Sequence, residues 1–265
     1  MIAAIIQARI GSSRLPGKIM LNVCGKPLLE HLIHRIKNSK KLDKIIIATT
    51  TNKEDNEVVD FCSSRNIAFF RGSQNDVLSR YYETAKFFSV DTIVRLTADT
   101  PLLDSQTIDK TIQVYEENNF DFVSNSSPLP RTYPDGFNVE IFSFEVLEKI
   151  HKDAINPSDR EHVTTYITMQ PKKFNVYRVD YFKDLSKYRF NLDYKEDYQL
   201  IKCIFEEFYE SKPDFLLEDV INWLDKHPEI LKLNSDTKPY QNILKSFEND
   251  SKMGYSKHDD NFYLN

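Results

Sequence analysis

Residues 1–18 read MIAAIIQARIGSSRLPGK. The first six are apolar, and the run ends at Ile6. The next twelve residues hold three cations (Arg9, Arg14 and Lys18), two glycines (Gly11 and Gly17), two serines (Ser12 and Ser13) and Pro16. A short continuous apolar run suits a strand covered on both faces. A glycine- and serine-rich loop behind such a strand brings backbone N–H groups close to phosphate oxygens. Gly11 and Gly17 permit close approach and positive φ, Ser12 and Ser13 add hydroxyl donors, and the three cations can neutralise a polyanion. The loop matches neither GxxxxGK[ST] nor GxGxxG, so it is neither a Walker loop nor a dinucleotide fingerprint. The alternative is a solvated basic turn. The density of donors directly behind the first buried strand favours phosphate.

Working outward, further apolar runs at 44–49, 67–70, 92–96 and 120–123 read as buried strands. Between them lie helical stripes: Leu28/Leu29/Leu32/Ile33/Ile36, Val58/Val59/Cys62, Val77/Leu78/Tyr81/Tyr82/Ala85/Phe88 and Ile108/Ile112/Tyr115. Alternating strands and helices predict a doubly wound α/β fold with a mostly parallel central sheet. Ligands in such sheets sit at the carboxyl ends of the strands. One rim therefore gathers the segments 7–18, 71–76, 99–104 and 125–131. The second half is less regular. Residues 137–142 alternate as an antiparallel strand, 175–179 and 188–192 read as strands, and helices are expected at 143–153, from Ser158, at 195–210 and at 216–224. From about Leu233 the chain is polar without sustained periodicity. The expected organisation is a domain over 1–232 and a loosely attached polar tail over 233–265.

The 265 residues are 40% hydrophobic with a net charge of −5, which suits one large α/β domain and gives no general reason to expect nucleic acid or an anionic membrane as partner. Cys24, Cys62 and Cys203 are scattered and show no CxxC pairing, so neither a disulfide framework nor a structural zinc site is indicated. No apolar run approaches the ~20 residues of a membrane span. A reduced, cytoplasmic protein is the expectation.

QARIGSSRLPGK resembles the nucleotide-binding signature of the sugar cytidylyltransferases, most closely their spore-coat-polysaccharide (SpsF-like) branch, which is related to the synthetases of CMP-activated ulosonic acids. Three further segments resemble that branch in the same order: RLTADTPLLD (95–104), YPDGFNVEIFSFEVLEKI with DREHVTTYI (133–150 and 159–167), and RFNLDYKEDYQLIK (189–202). The resemblance runs from residue 1 to about 232. It implies a Rossmann-like nucleotidyltransferase fold with a small antiparallel acceptor or dimerisation region, a CTP donor and Mg²⁺. Whether one ion or two, and whether a homodimer, stays open.

Asp99 follows a strand and faces the loop, where a carboxylate can hold Mg²⁺; it could instead cap the next helix, as Asp104 could. Asp193 matches the family's second metal aspartate, while Asp197 reads as structural. The two carboxylates are expected to converge, with one pKa raised by their repulsion. Lys18 and Arg14 are the catalytic candidates, stabilising the α-phosphate and the leaving pyrophosphate. Lys18 is expected to be an exposed loop side chain. Nucleotide contacts are assigned to Ala8, Arg9, Gly11, Ser12, Ser13, Arg14, Lys18, Arg71, Arg80 and Thr97. Thr97 stands where related synthetases often carry Gln, which leaves an ulosonic acid as acceptor open. Asp76 could N-cap its helix and pair with Arg80 at i,i+4. Acceptor contacts are assigned to Asp135, Asn138, Glu140, Arg160 and His162, although Ser158 and Glu161 have the spacing of a capping box. A Rossmann-like glycosyltransferase or a non-catalytic nucleotide-binding protein is the alternative. Against the first, 99–101 reads Asp-Thr-Pro and not DxD. Against the second, Lys18 and both aspartates are present.

Overall fold

The computed structural model describes residues 1–127, 129–235 and 241–255, without the side chains of 241 and 242. The first half alternates strand and helix. It contains β1 (Ile2–Gln7), the small hairpin β2 (Asn22–Val23) and β3 (Lys26–Pro27), α1 (Leu28–Ile36), β4 (Lys44–Thr50), α2 (Asn56–Ser64), β5 (Ala68–Gly72), α3 (Val77–Phe87), β6 (Thr92–Thr97) and α4 (Ser105–Glu116). The second half contains β7 (Phe122–Ser124), β8 (Glu140–Ser143), α5 (Phe144–Asp153), α6 (Pro157–His162), α7 (Thr165–Thr168), β9 (Val176–Arg178), α8 (Lys195–Phe208), α9 (Leu217–Leu224), α10 (Pro228–Leu231) and α11 (Gln241–Lys252).

Among the described residues, seven strands form one sheet in the order β5-β4-β1-β6-β8-β7-β9, and β8 alone runs antiparallel to its neighbours β6 and β7. The apolar continuity of β1 has a direct cause. Ala4 and Ile6 pack with α1, α4 and α8 on one face, and Ala3 and Ile5 pack with α3 and α5 on the other. Parallel pairing sets Gln7 beside Thr97 and Ala48, so these strands end on one rim. Among the described residues, no helix is long and apolar enough to cross a membrane.

Three expectations change. The segment 188–192 has the period-two burial of a strand, with Tyr188, Phe190 and Leu192 inward, yet among the described residues it makes only one bridge, Asp135 with Arg189. Its backbone bonds go to a loop and not to a ladder: Phe190 N donates to Asp135 O at 2.6 Å, and Leu192 N donates to Asp99 O at 2.8 Å. The strand expected at 137–142 begins only at Glu140, because the Asn125 side chain takes the preceding bonds, donating to Phe137 O at 2.7 Å and accepting from Val139 N at 2.8 Å. Finally, residues 241–252 of the expected loose tail form α11. It buries Phe247, and the Asp250 carboxylate accepts from Ser158 N at 3.2 Å. That bond stands in for the expected Ser158–Glu161 capping box, since α6 starts after Asn156 with no side-chain cap of its own.

At Gly136 another segment of backbone approaches closely. The glycine's φ is +98°, and a Cβ there would lie 2.5 Å from Phe190 C and 2.7 Å from Asn191 N. Gly136→Ala is expected to cost more than about 2 kcal/mol, since positive-φ strain and a backbone clash add. Chemical denaturation checks it. A loss below about 0.5 kcal/mol would show that 188–192 shifts freely, as expected of a surface position.

Candidate active site

Above the carboxyl ends of β1 and β6 lies a cleft of about 640 Å³. Its first wall is the loop after β1. The loop is anchored from below: Ile10 N donates to Asp55 at 2.6 Å, and Asp55 is fully buried and also receives the Thr50 hydroxyl. Gly17, at φ +68°, turns the chain so that its N–H reaches Ile10 O at 3.0 Å. The following 3₁₀ turn, Lys18–Met20, begins at Lys18, whose side chain lines the cleft.

Lys18 is not an exposed loop lysine. Its ammonium donates to Asp99 Oδ2 at 2.8 Å, Asp193 Oδ1 at 3.0 Å and the carbonyl of Leu192 at 2.7 Å. Arg14 reaches the same Asp193 Oδ1 at 2.6 Å and lies over the Tyr194 ring. Two carboxylates far apart in sequence thus share one cation. The bond from Leu192 N to Asp99 O is what brings them together. Asp99 Oδ1 accepts from the Thr97 hydroxyl at 2.6 Å.

The charges are mutually supporting. Burial alone would raise the Asp193 carboxyl, but Lys18 and Arg14 outweigh it and hold the group below its usual range. Burial alone would lower Lys18, but Asp99 and Asp193 raise it. The expected raised carboxyl from mutual repulsion does not arise at Asp193, because cations stand beside it.

The opposite wall holds Arg131, which pairs with Asp135 at 3.2 Å, and Asn138, which donates to the same oxygen at 3.3 Å. Glu140 pairs with Arg95 and accepts from the Thr164 hydroxyl at 3.1 Å. His162 lines the cleft and meets Ser246 Oγ of α11 at 3.1 Å. Arg80 is 2% exposed and also lines the cleft, with its guanidinium lowered by burial. Among the described residues, the cleft-lining Arg80 Nε, Arg95 Nε and Asn138 Oδ1 have no hydrogen-bond partner.

Ala8, Arg9, Gly11, Ser12, Ser13, Arg14, Lys18, Arg80, Thr97, Asp99, Asp135, Asn138, Glu140, His162 and Asp193 therefore share one cleft. Arg71 and Arg160 do not line it. Arg71 ties down the turn after β4, donating to the carbonyls of Thr50 and Asn52 at 2.8 Å each. Arg160 donates to Asp76 at 2.7 Å and to the carbonyls of His151 and Ala154. Asp76 caps α3 at Ser79 N, as expected, but its ionic partner is Arg160 and not Arg80. The cleft adds Arg95, Arg189, Tyr194 and, from α11, Lys245, Ser246 and Asn249. Arg95 was legible as a charge inside an apolar strand, and Arg189 as the polar phase of 188–192. The local mark of α11 was the short stripe Ile243, Leu244 and Phe247.

The donor set suits Mg²⁺. Asp99, Asp193 and the Leu192 carbonyl offer oxygens around one point, and Mg²⁺ takes one or two carboxylates with phosphate oxygens and water completing its shell. No closed cage of three or more His, Cys, Asp or Glu exists among the described residues.

A cationic glycine–serine loop facing paired aspartates on this rim marks the nucleotidyltransferase class of enzymes. The chain belongs to the cytidylyltransferase family, whose model matches residues 3–251. It is 31% identical over 240 residues to the spore coat polysaccharide biosynthesis protein SpsF of Bacillus subtilis, covering 86% of this chain and 95% of that one. It is 26% identical over 202 residues to the 8-amino-3,8-dideoxy-manno-octulosonate cytidylyltransferase of Shewanella frigidimarina, covering 71% and 74%. A solved cytidylyltransferase from Leptospira borgpetersenii superposes with a TM-score of 0.83 at 33% identity, covering 91% of this chain and 99% of that one.

Proposed function

We propose that the protein transfers CMP from CTP to an acidic sugar, sugar phosphate or phosphonate, releasing pyrophosphate, in surface polysaccharide assembly in the cytoplasm. The observation that carries this reading is the Lys18 ammonium held by Asp99 and Asp193 beneath the Gly–Ser–Arg loop. An acceptor oxygen attacks the α-phosphorus of CTP; a phosphate or phosphonate attacks already ionised, and a sugar hydroxyl releases its proton to solvent. A P–O bond forms at that phosphorus, the bond to the bridging α–β oxygen breaks, and the electron pair leaves with pyrophosphate. Such a transfer depends mainly on positioning and charge neutralisation.

The loop N–H groups and the Ser12 and Ser13 hydroxyls take the phosphates. Arg14 and Lys18 exchange part of their carboxylate pairing for phosphate oxygens and neutralise charge as it moves onto the leaving group. Asp99 and Asp193 would hold Mg²⁺, which when bound neutralises phosphate charge and lowers the pKa of an attacking hydroxyl. Arg131, Asp135, Asn138, Glu140 and His162 offer both charges to an acceptor that bears hydroxyls and an anionic group. The acidic sugar named for the Shewanella relative is of that kind.

CTP at a hundred times its Kd should stabilise the folded chain by about 2.7 kcal/mol, because ligand binds only the native state. ATP and GTP at the same concentration, each with Mg²⁺, should raise the melting temperature less. Equal shifts for all three nucleotides would remove the cytidine assignment and leave the fold standing. A pyrophosphate-release screen of acidic sugars, sugar phosphates and phosphonates then identifies the acceptor.

A further inference from the structure

Asp193 is fixed from behind by a cluster built partly from the C-terminal segment. Asp197, in the first turn of α8, is fully buried. Its Oδ2 accepts from the backbone N–H of Asp193 at 2.9 Å and of Tyr194 at 2.8 Å. Its Oδ1 accepts from Arg189 Nη1 and from Asn234 Nδ2, the latter at 3.0 Å. The second Arg189 nitrogen, Nη2, reaches Asp193 Oδ2 at 3.1 Å. The Asn234 amide also donates to the backbone carbonyl of Arg189 at 3.0 Å. Asp193 thus offers Oδ1 to Lys18 and Arg14 while its Oδ2 and its own N–H are held by this cluster.

The chemistry at residue 234 is specific. A carbonyl and a carboxylate oxygen face one nitrogen, and a primary amide has two N–H donors to meet them. A carboxylate of the same shape would place negative charge against Asp197 in a site only 7% exposed. The 3₁₀ turn Lys232–Asn234 that delivers this amide lies past the last amphipathic helix legible in the sequence.

We propose that Asn234 and Asp197 are positioning residues for nucleotidyl transfer, setting the orientation of Asp193 and Arg189. The inference rests on the reading of Asp193 as a ligand of the nucleotide-associated metal. Groups that orient a metal ligand typically alter metal affinity or activity by 10–100-fold when replaced. A merely structural role would act on stability alone. Asp104 supplies the comparison. It is buried, caps α4 at Thr107 N at 2.7 Å, accepts from Leu217 N at 2.8 Å and does not line the cleft.

The test uses the full chain, with Mn²⁺ as probe and free Mn²⁺ read by electron paramagnetic resonance in the presence of CTP. Asn234→Asp and Asn234→Ala should each weaken Mn²⁺ binding, the first by about 10–100-fold and more than the second. CTP affinity in EDTA should change little. Asp104→Asn should lower the melting temperature without moving the Mn²⁺ titration. Should Asn234→Asp fail to fold, Asn234→Ala and Asn234→Ser carry the comparison. Titrations of the Asn234 variants that superimpose on wild type overturn the inference alone, as does an equal shift in Asp104→Asn. A wild-type chain with no Mn²⁺-dependent binding of CTP overturns the functional reading and the inference together.

Discussion

Lys18→Ala is expected to lower turnover by on the order of a hundredfold or more, the usual loss when one preorganised charge facing the transition state is removed. It is also expected to cost stability, because the side chain is only 12% exposed and separates two carboxylates. Removing one partner of a buried pair costs about 3–5 kcal/mol in a closed interior. A cleft wall open to solvent reduces that to on the order of 2 kcal/mol. The pH dependence follows from the shifts. Lys18 is raised in the fold, so its contribution is full below 10.5 and lost as pH climbs through the folded value. Asp193 is lowered, so its contribution is full above 3.8 and lost as pH falls through the folded value. The wild-type advantage over Lys18→Ala should therefore be flat across neutral pH and shrink at both extremes. Steady-state kinetics paired with melting curves at several pH values measure both effects. A normal rate with reduced stability would make Lys18 a structural counter-ion, and the catalytic role would fall.

The parallel half of the fold was legible because its central strands β1, β4 and β6 are covered on both faces. Residues such as Ala3, Ala4, Ile5 and Ile6 are all fully buried, and an unbroken apolar run of that length marks a strand without a solvent face. The loop that walls the cleft was legible because its polar and cationic residues are contiguous. Asp99 was legible as a carboxylate just past β6 and Asp193 as one just past the alternating segment 188–192, but their meeting depends on a backbone bond between Leu192 and Asp99, which leaves no trace in local pattern. Two arginines assigned to contacts lie outside the cleft for the same reason. Arg71 and Arg160 stand near the rim in sequence, yet backbone carbonyls and Asp76 claim them. A guanidinium has five donors and satisfies whatever acceptors the fold supplies. The C-terminal helix α11 was hidden because one buried aromatic, Phe247, and one carboxylate, Asp250, dock it. Ile243, Leu244 and Phe247 do recur at helical spacing, but the rest of the segment is polar, and so short a stripe resembles a tail.

Asp99→Asn and Asp193→Asn should each remove most activity, and the double variant should be little worse than either single one, since groups that act through one centre are not additive. Their effects on stability should differ. Asp193 serves three cations, Arg14, Lys18 and Arg189, whereas Asp99 serves Lys18, which keeps Asp193 when Asp99 is neutralised. Asp193→Asn should therefore be the less stable variant at neutral pH. Because its folded pKa is depressed, that deficit should fade as pH falls through the folded value, where the wild-type carboxylate is itself protonated. The two readouts separate the roles. If the activity losses multiply in the double variant, the aspartates act independently and the shared-metal assignment fails. If Asp193→Asn keeps near-normal turnover while losing stability, Asp193 is a counter-ion for the arginines, and Asp99 remains as the single carboxylate ligand. Coupled loss of activity is the result expected of a shared metal, and unequal loss of stability follows because one oxygen of Asp193 faces the cleft cations while the other is held by Arg189.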